Sequence, residues 1–253
     1  MILDDFNLAG KVAIVTGASR GLGRGMAAAL AEAGADIAGV GHAGMSETAA
    51  VIQGLGRNFL EIKADLVDSG VVSGIVDKTV ARFGKIDILV NNAGIIRRSD
   101  AVDFSEKDWD DVMNINMKTL FFLSQAAARQ FIKQGTGGKI INIASLLSFQ
   151  GGIRVAAYTA SKSAVMGVTR LLANEWAKHK ININAIAPGY MATDNTAPLR
   201  ADPERNKAIL ERIPAGRWGT PADLKGAVVF LASNAAGYVN GYTIAVDGGW
   251  LAR

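Results

Sequence analysis

Seven short runs rich in Val, Ile and Leu recur along the chain, at residues 11–16, 37–40, 59–63, 86–90, 139–143, 181–187 and 243–246, with helical stretches between most of them. Runs of this length without polar alternation read as strands buried on both faces. Strands separated by helices are joined by crossovers rather than hairpins, and right-handed crossovers put helices on both faces of a parallel sheet. The expected fold class is α/β, a doubly wound parallel sheet of seven strands with helices on both faces. No Pro/Ser-rich linker, charge block or internal repeat divides residues 1–253, so one domain is expected. A hydrophobic fraction of 49% and 29 glycines suit buried strands joined by tight turns.

The first unit is the most explicit. KVAIVT is followed by GASRGLG and then the helical pattern GMAAALAEAG. Gly17, Gly21 and Gly23 let backbone approach a pyrophosphate, which the next helix's N-terminus attracts. Their spacing is Gly-x-x-x-Gly-x-Gly, not the Gly-x-Gly-x-x-Gly of the dinucleotide fingerprint, and a plain tight turn is the competing account. Gly17, Ser19 and Gly21 also satisfy the Gly-x-Ser-x-Gly elbow of serine hydrolases. That chemistry needs a late histidine base on a loop after a strand, and the sole late candidate, His179, ends a predicted helix instead.

Polar residues gather where the other strands end. Asp65 follows the third, Asn91, Asn92, Ala93 and Gly94 the fourth, and Pro188 and Gly189 the sixth, while Asn114 and Asn116 sit on the helix after Trp109. Singly these are caps, turn formers and loop breakers. Together they mark the carboxyl edge of a parallel sheet, where open α/β folds bind ligands.

A candidate catalytic group lies in the second half of the chain. Ser145 closes the run KIINIA, and Tyr158 and Lys162 stand four residues apart on a helical pattern. That spacing puts them on one helix face, about 6 Å apart along the axis. A free phenol, with a pKa of about 10, is a poor base at neutral pH, and a neighbouring cation favours the phenolate. Lys162 is therefore expected to make Tyr158 a general acid/base, with Ser145 holding a substrate oxygen. A Tyr–Lys pair at helical spacing is common without catalysis, and the rest of the chain gives it weight.

Composition narrows the classes. The net charge is +4, with Lys and Arg scattered rather than striped with aromatics, so no nucleic-acid surface is expected. There is no cysteine and only two histidines, His42 and His179, so no metal site of ordinary type is expected. The start MILDDFNLAG lacks a signal-peptide pattern, and residues 226–246, the longest stretch without Asp, Glu, Lys or Arg, are broken by polar groups. A cytoplasmic protein without membrane contact is expected.

In order and distance, TGASRGLG, Asp65, NNAG, Asn116, Ser145, YxxxK and the Pro-Gly with Thr193 resemble the short-chain dehydrogenase/reductase family nearly end to end. The resemblance implies a Rossmann-like nicotinamide-dependent oxidoreductase acting on a CH–OH group, usually a homotetramer. It implies that Asn116, Ser145, Tyr158 and Lys162 are catalytic: Tyr158 exchanges the proton, Lys162 lowers its pKa and binds the nicotinamide ribose, and Asn116 positions a water in the relay. The cofactor residues it implies are Gly17, Ser19, Arg20, Gly21, Leu22, Gly23, His42, Asp65, Leu66, Asn92, Ala93, Gly94, Pro188, Gly189, Met191 and Thr193, with Tyr158 and Lys162. One departure stands out. The end of the second strand carries Gly41 and His42, where NAD-preferring members carry an Asp and NADP-preferring members an adjacent Arg. Arg20 remains a candidate for a 2′-phosphate; NAD is expected, with NADP open.

Arg97 and Arg98, just past the fourth strand, and Arg154, before Tyr158, are candidate substrate-binding residues, because guanidinium suits a carboxylate. The competing account pairs them with Asp100, Asp103 or other surface acids. These stretches, with IPAGRWG and VNGYTIAVDGGWLAR, resemble the sugar-acid branch of the family. That implies hydride exchange at a hydroxyl or keto carbon of a small anionic deoxy sugar acid, of the 2-deoxy-D-gluconate or 2-dehydro-3-deoxy-D-gluconate type. Gluconate 5-dehydrogenases and 3-ketoacyl carrier-protein reductases are the rivals; a dinucleotide-sensing regulator without turnover is the alternative of another class. Family likeness puts a substrate lid at about residues 193–212, otherwise an exposed amphipathic helix, and the final GGWLAR reads as subunit-contact material.

Overall fold

The computed structural model describes residues 1–253, apart from the side chain of Ser69. Strands β1 (Val12–Thr16), β2 (Asp36–Gly41), β3 (Phe59–Lys63), β4 (Ile88–Asn91), β5 (Gly138–Ile143), β6 (Ile181–Pro188) and β7 (Thr243–Val246) form one sheet. Every neighbouring pair is parallel, in the order β3-β2-β1-β4-β5-β6-β7. The expected doubly wound seven-stranded sheet is what the chain forms.

Alternate residues of β1 show why both faces are covered. Ala13 and Val15 pack with Met26 and Leu30 of helix α1 (Gly21–Glu32) and Val228 and Leu231 of helix α9 (Lys225–Ala232). Ile14, between them, packs with Val72 and Ile75 of helix α3 (Val72–Phe83) and with Leu123 and Phe131 of helix α5 (Leu120–Gln134). Helix α2 (Ser46–Gly54) joins the first face through Ile52, and helix α6 (Ala156–Trp176) the second through Leu172.

The strands at 11–16 and 86–90 begin later than the apolar runs suggest. Lys11, Ile86 and Asp87 fall outside them, because Asp87 accepts from the Val12 amide at 3.0 Å and pairs with Lys11 and Lys85 at 3.4 and 3.0 Å. That carboxylate closes the amino edge of the sheet, opposite the edge where polar residues gather.

Two helical expectations change shape. Helix α4 (Glu106–Met113) does not run straight into α5: residues Asn114–Thr119 form a π-helical segment. Its Thr119 hydroxyl donates to the Leu66 carbonyl at 2.8 Å, and Asn116 bonds both the amide and the carbonyl of Ile95. These outside partners accompany the widened turn, a geometry frequent at functional sites. The 193–212 segment is two helices, α7 (Ala197–Ala201) and α8 (Pro203–Arg212). The break falls at Asp202, which caps α8 by accepting from Glu204 and Arg205, with Pro203 at the first turn. Among the described residues no helix is long and apolar enough to cross a membrane.

Candidate active site

At β1 the chain reverses its direction of travel across the sheet, so β1 is flanked by β2 on one side and β4 on the other. The crevice at this switch point is a cleft of about 480 Å³. Gly17, Ser19, Arg20, Gly21, Leu22, Gly23, His42, Asp65, Leu66, Asn92, Ala93, Gly94, Pro188, Gly189, Met191 and Thr193 all line it, together with Ser145, Tyr158 and Lys162.

The floor is a knot tied by Thr16. Its hydroxyl accepts from the amides of Asn92 and Ala93, both at 2.9 Å, and donates to Val90 O, while the Asn92 side-chain amide donates to Thr16 O at 2.8 Å. Asn92, one of the cofactor residues implied by the resemblance, thus fixes the glycine turn with its side-chain amide. Gly17 has φ +66°, and a Cβ there would meet Asn92 Nδ2 at 2.8 Å; a Cβ on Gly23 would fall 2.0 Å from Gly17 O. Both glycines are required by the turn itself.

The turn delivers the N-terminus of α1 to the cleft. No side chain caps this helix, and its first turn holds no acidic residue. Uncapped amides at a helix N-terminus attract phosphate, so the residues present fit a dinucleotide's pyrophosphate. At the end of the cleft beside β2, the strand stops at Gly41, where a Cβ would meet nothing within 4 Å, and exposed His42 follows. No carboxylate occupies that strand end. Arg20 reaches away to Asp194 at 3.2 Å, an exposed pair. Asp65 accepts from the Val67 amide at 3.1 Å, which closes a turn rather than capping a helix, the plainer reading of this residue.

At the other end of the cleft, Ser145 leaves β5 and Tyr158 and Lys162 come from α6. The Lys162 ammonium lies 5.7 Å from the centre of the Tyr158 ring and donates to the Ile143 carbonyl. The Ser145 hydroxyl, which accepts from the Leu147 amide at 3.2 Å, lies close enough to the Tyr158 phenol to act on it. Asn116 is fully buried behind them; its amide donates to Ile95 O at 3.0 Å and to Ser161 Oγ at 3.1 Å, and its oxygen accepts from Ile95 N.

The proton balance differs from the expectation. Burial is the strongest influence on Tyr158 and raises its pKa; the Ser145 hydroxyl and the charge of Arg98 pull the other way. Lys162 is itself held down to about 8 by burial. Lys162 stands beside the phenol ring as expected, as a buried amine whose own pKa is lowered, and the charge of Arg98 also opposes burial at the phenol.

Three residues that hold this group in place were missed from sequence. Ser148 Oγ donates to the Lys162 carbonyl at 2.6 Å and accepts from the Ser145 amide at 3.2 Å. Ser161 Oγ donates to the Tyr158 carbonyl at 2.8 Å, and Thr16 ties the floor. The Ser145-x-x-Ser148 spacing, a capping-box pattern, was the available signal for the first.

The three arginines are separated. Arg97 and Arg98 line the cleft; Arg154 does not, and pairs with Asp100 at 3.0 Å, the surface role allowed for it. The serine-hydrolase alternative loses its base, because His179 lies in the 3-10 turn Ala177–His179 ahead of β6, whereas Pro188 at the opposite end of that strand lines the cleft. Among the described residues no three His, Asp or Glu side chains gather as a metal site.

Residues 17–251 match a family model described as enoyl-(acyl carrier protein) reductase. The chain is 70% identical over 253 residues, all of both proteins, to a 2-dehydro-3-deoxy-D-gluconate 5-dehydrogenase of Dickeya dadantii. The chain belongs to the short-chain dehydrogenase/reductase family. Among solved members of this family, a proposed 2-deoxy-D-gluconate 3-dehydrogenase of Agrobacterium tumefaciens with bound NADP is 55% identical, with TM-score 0.94 over 99% of this chain and 100% of that one. A gluconate 5-dehydrogenase of Burkholderia cenocepacia in complex with NADP and tartrate is 39% identical, with TM-score 0.95 over all of both chains. As a member of this family the chain is an oxidoreductase acting on a CH–OH group.

Proposed function

We propose that this short-chain dehydrogenase/reductase interconverts a hydroxyl and a keto group on a deoxy sugar acid of the 2-deoxy-D-gluconate or 2-dehydro-3-deoxy-D-gluconate type. The observation that carries the reading is a tyrosine hydroxyl, a serine and a lysine in one cleft of about 480 Å³ that Arg97 and Arg98 also line. The 70% identical relative, named for that substrate, supports it.

A bound nicotinamide supplies the acceptor or donor of hydride. This chain's residues do the rest. Ser145 holds the reacting oxygen against Tyr158, which takes its proton in oxidation and returns it in reduction. Lys162 borders the same space, and Asn116 stiffens the loop at Ile95 that walls it. The α1 amides hold the pyrophosphate, with Gly94 and Pro188 lining the nicotinamide end.

For the cofactor, the reading is NAD with NADP admitted. No carboxylate at the end of β2 repels a 2′-phosphate, and both solved relatives above hold NADP. The segment 193–212 is read as the lid and residues 1–253 as one domain. A homotetramer in the cytoplasm completes the proposal, supported by exposed Phe122, Ile132 and Leu171 on α5 and α6.

The test is a sugar-acid panel with both dinucleotides, followed by absorbance of the reduced nicotinamide. Turnover of a deoxy sugar acid above gluconate is expected, with NAD and NADP within about tenfold, a gap of ~1.4 kcal/mol. Preference for gluconate moves the assignment to the gluconate 5-dehydrogenases. Dinucleotide binding without turnover of any substrate restores the regulator alternative.

A further inference from the structure

The cleft takes up the carboxyl edge of the sheet, and the opposite edge holds a second group of titratable side chains that the proposed reaction does not use. Lys11 and Lys85 share the carboxylate of Asp87, at 3.4 and 3.0 Å, one on each oxygen. Lys139, the second residue of β5, stands in register between Ile88 of β4 and Asn182 of β6, and its backbone amide donates to the Asp87 carbonyl at 2.9 Å. Its amine has no carboxylate within ion-pair distance among the described residues; it donates to Asn182 Oδ1 at 2.8 Å. Asp36, another acid of this edge, is turned to Asn58, whose backbone and side-chain amides it accepts at 2.8 and 3.2 Å. Three amines thus stand against the single carboxylate of Asp87.

The acceptor beside Lys139 is itself fixed. The Asn182 amide donates to Gly237 O at 3.1 Å and to Val239 O at 3.2 Å, so its oxygen stays toward the lysine. A neutral oxygen offsets little of the cost of burying a charge, and burial and a neighbouring cation both favour the free amine. Burial, and after it the charge of Lys11, hold the Lys139 amine down to about 8. A free amine can keep one hydrogen on Asn182 and still offer its lone pair as a nucleophile. Lys139 is half-buried, which favours a small electrophile over a bulky acyl donor. A product bearing negative charge would also supply what this edge lacks, a second carboxylate among its lysines.

We propose that Lys139 is a carbamate-forming site: its amine takes up carbon dioxide, and Lys11 holds the carboxylate that results. The nitrogen lone pair attacks the carbon, an N–C bond forms, and one C–O π pair moves onto oxygen as the new negative charge. One N–H bond breaks and its proton passes to water or bicarbonate, while the N–H that remains still donates to Asn182. No electron is gained or lost overall, and no leaving group departs. The site lies at the edge away from the cleft, so the inference stands apart from the sugar-acid reading.

The experiment equilibrates the unsubstituted protein with isotopically labelled carbon dioxide and bicarbonate at pH 8, near which the amine changes charge. Carbamates are trapped by alkylation with triethyloxonium and located by peptide mass spectrometry. Label at Lys139 is expected to exceed that at exposed Lys133 and Lys178 by about tenfold or more, because each pKa unit below 10.5 raises the free amine about tenfold. Lys139→Arg, which keeps a charge but offers no free amine, should lose the label and keep turnover, and Lys11→Met should lower the label at Lys139 several-fold. Circular dichroism checks the fold of each variant; should K139R not fold, the unsubstituted protein and K11M carry the comparison. Label at Lys139 no higher than at Lys133 and Lys178, or label that K11M leaves intact, overturns the proposal.

Discussion

Tyr158 is held between opposing influences, and each leaves its own pH signature. Burial raises the pKa of the phenol, while Ser145 and Arg98 lower it. Ser145→Ala removes one lowering influence, so the ascending limb of kcat/KM for alcohol oxidation moves to higher pH. Loss of the oxygen's donor also cuts the rate by about 10²-fold; a limb that stays in place would show that Ser145 does not act on the phenol. Lys162 gives a stability prediction. Its pKa in the fold, about 8, lies below the ordinary 10.5, so the unfolded chain binds the proton more strongly between those values. Stability from this group therefore rises with pH through that window, and below it the fold carries a buried charge. Lys162→Met should be more stable than the parent in urea at pH 7, with the advantage shrinking by pH 10. A less stable variant at pH 7 would mean that the bond to Ile143 O outweighs the burial. The spacing of Ser145, Tyr158 and Lys162 was readable from sequence, but the ranking of burial over charge was not, because it depends on what packs around the phenol.

At the scale of elements, the strands were legible because β-branched runs buried on both faces admit few alternatives. The ends were less so: Asp87 belongs to an apolar run by position yet caps the neighbouring strand. The π segment at Asn114–Thr119 could not be read, since NINMKT keeps a helical pattern and its outside partners, Leu66 and Ile95, come from distant chain. The break between α7 and α8 is signalled by Asp202 and Pro203, an N-cap followed by proline within the segment expected as a lid or an amphipathic helix. The Thr16 knot is the element-scale device that matters most, because it joins β1 to β4 at the cleft. Thr16→Val keeps the shape and removes the acceptor for two amides. It should cost about 1–3 kcal/mol in urea unfolding and weaken dinucleotide binding; unchanged stability would mean that water replaces the hydroxyl.

Across the whole molecule, the amino edge of the sheet is closed by Asp87 and its lysines, and the carboxyl edge holds the cleft. The C-terminus contributes to that cleft's surroundings rather than standing free: Trp250 is buried with Leu146, Ile209 and Ile213, and its indole donates to Gln150 at 3.1 Å. Within GGWLAR, Trp250 packs inward while Ala252 and Arg253 stay exposed, so the subunit contact expected of this segment would fall to its last residues. The other surface proposed for assembly lies along α5 and α6, where Phe122, Ile132 and Leu171 are exposed. Light scattering should return four times the 26.5 kDa chain mass, and Leu171→Glu should lower it; a monomer in the parent protein removes the tetramer. The central claim is that Ser145, just past β5, and Tyr158 and Lys162, on α6, brought together at one sheet edge, move a proton through the Tyr158 hydroxyl. Single-turnover oxidation by Tyr158→Phe, with NAD affinity measured alongside, tests it most directly. The account predicts a loss of about 10²- to 10⁴-fold in rate with affinity preserved; a rate within a few-fold of the parent would contradict it.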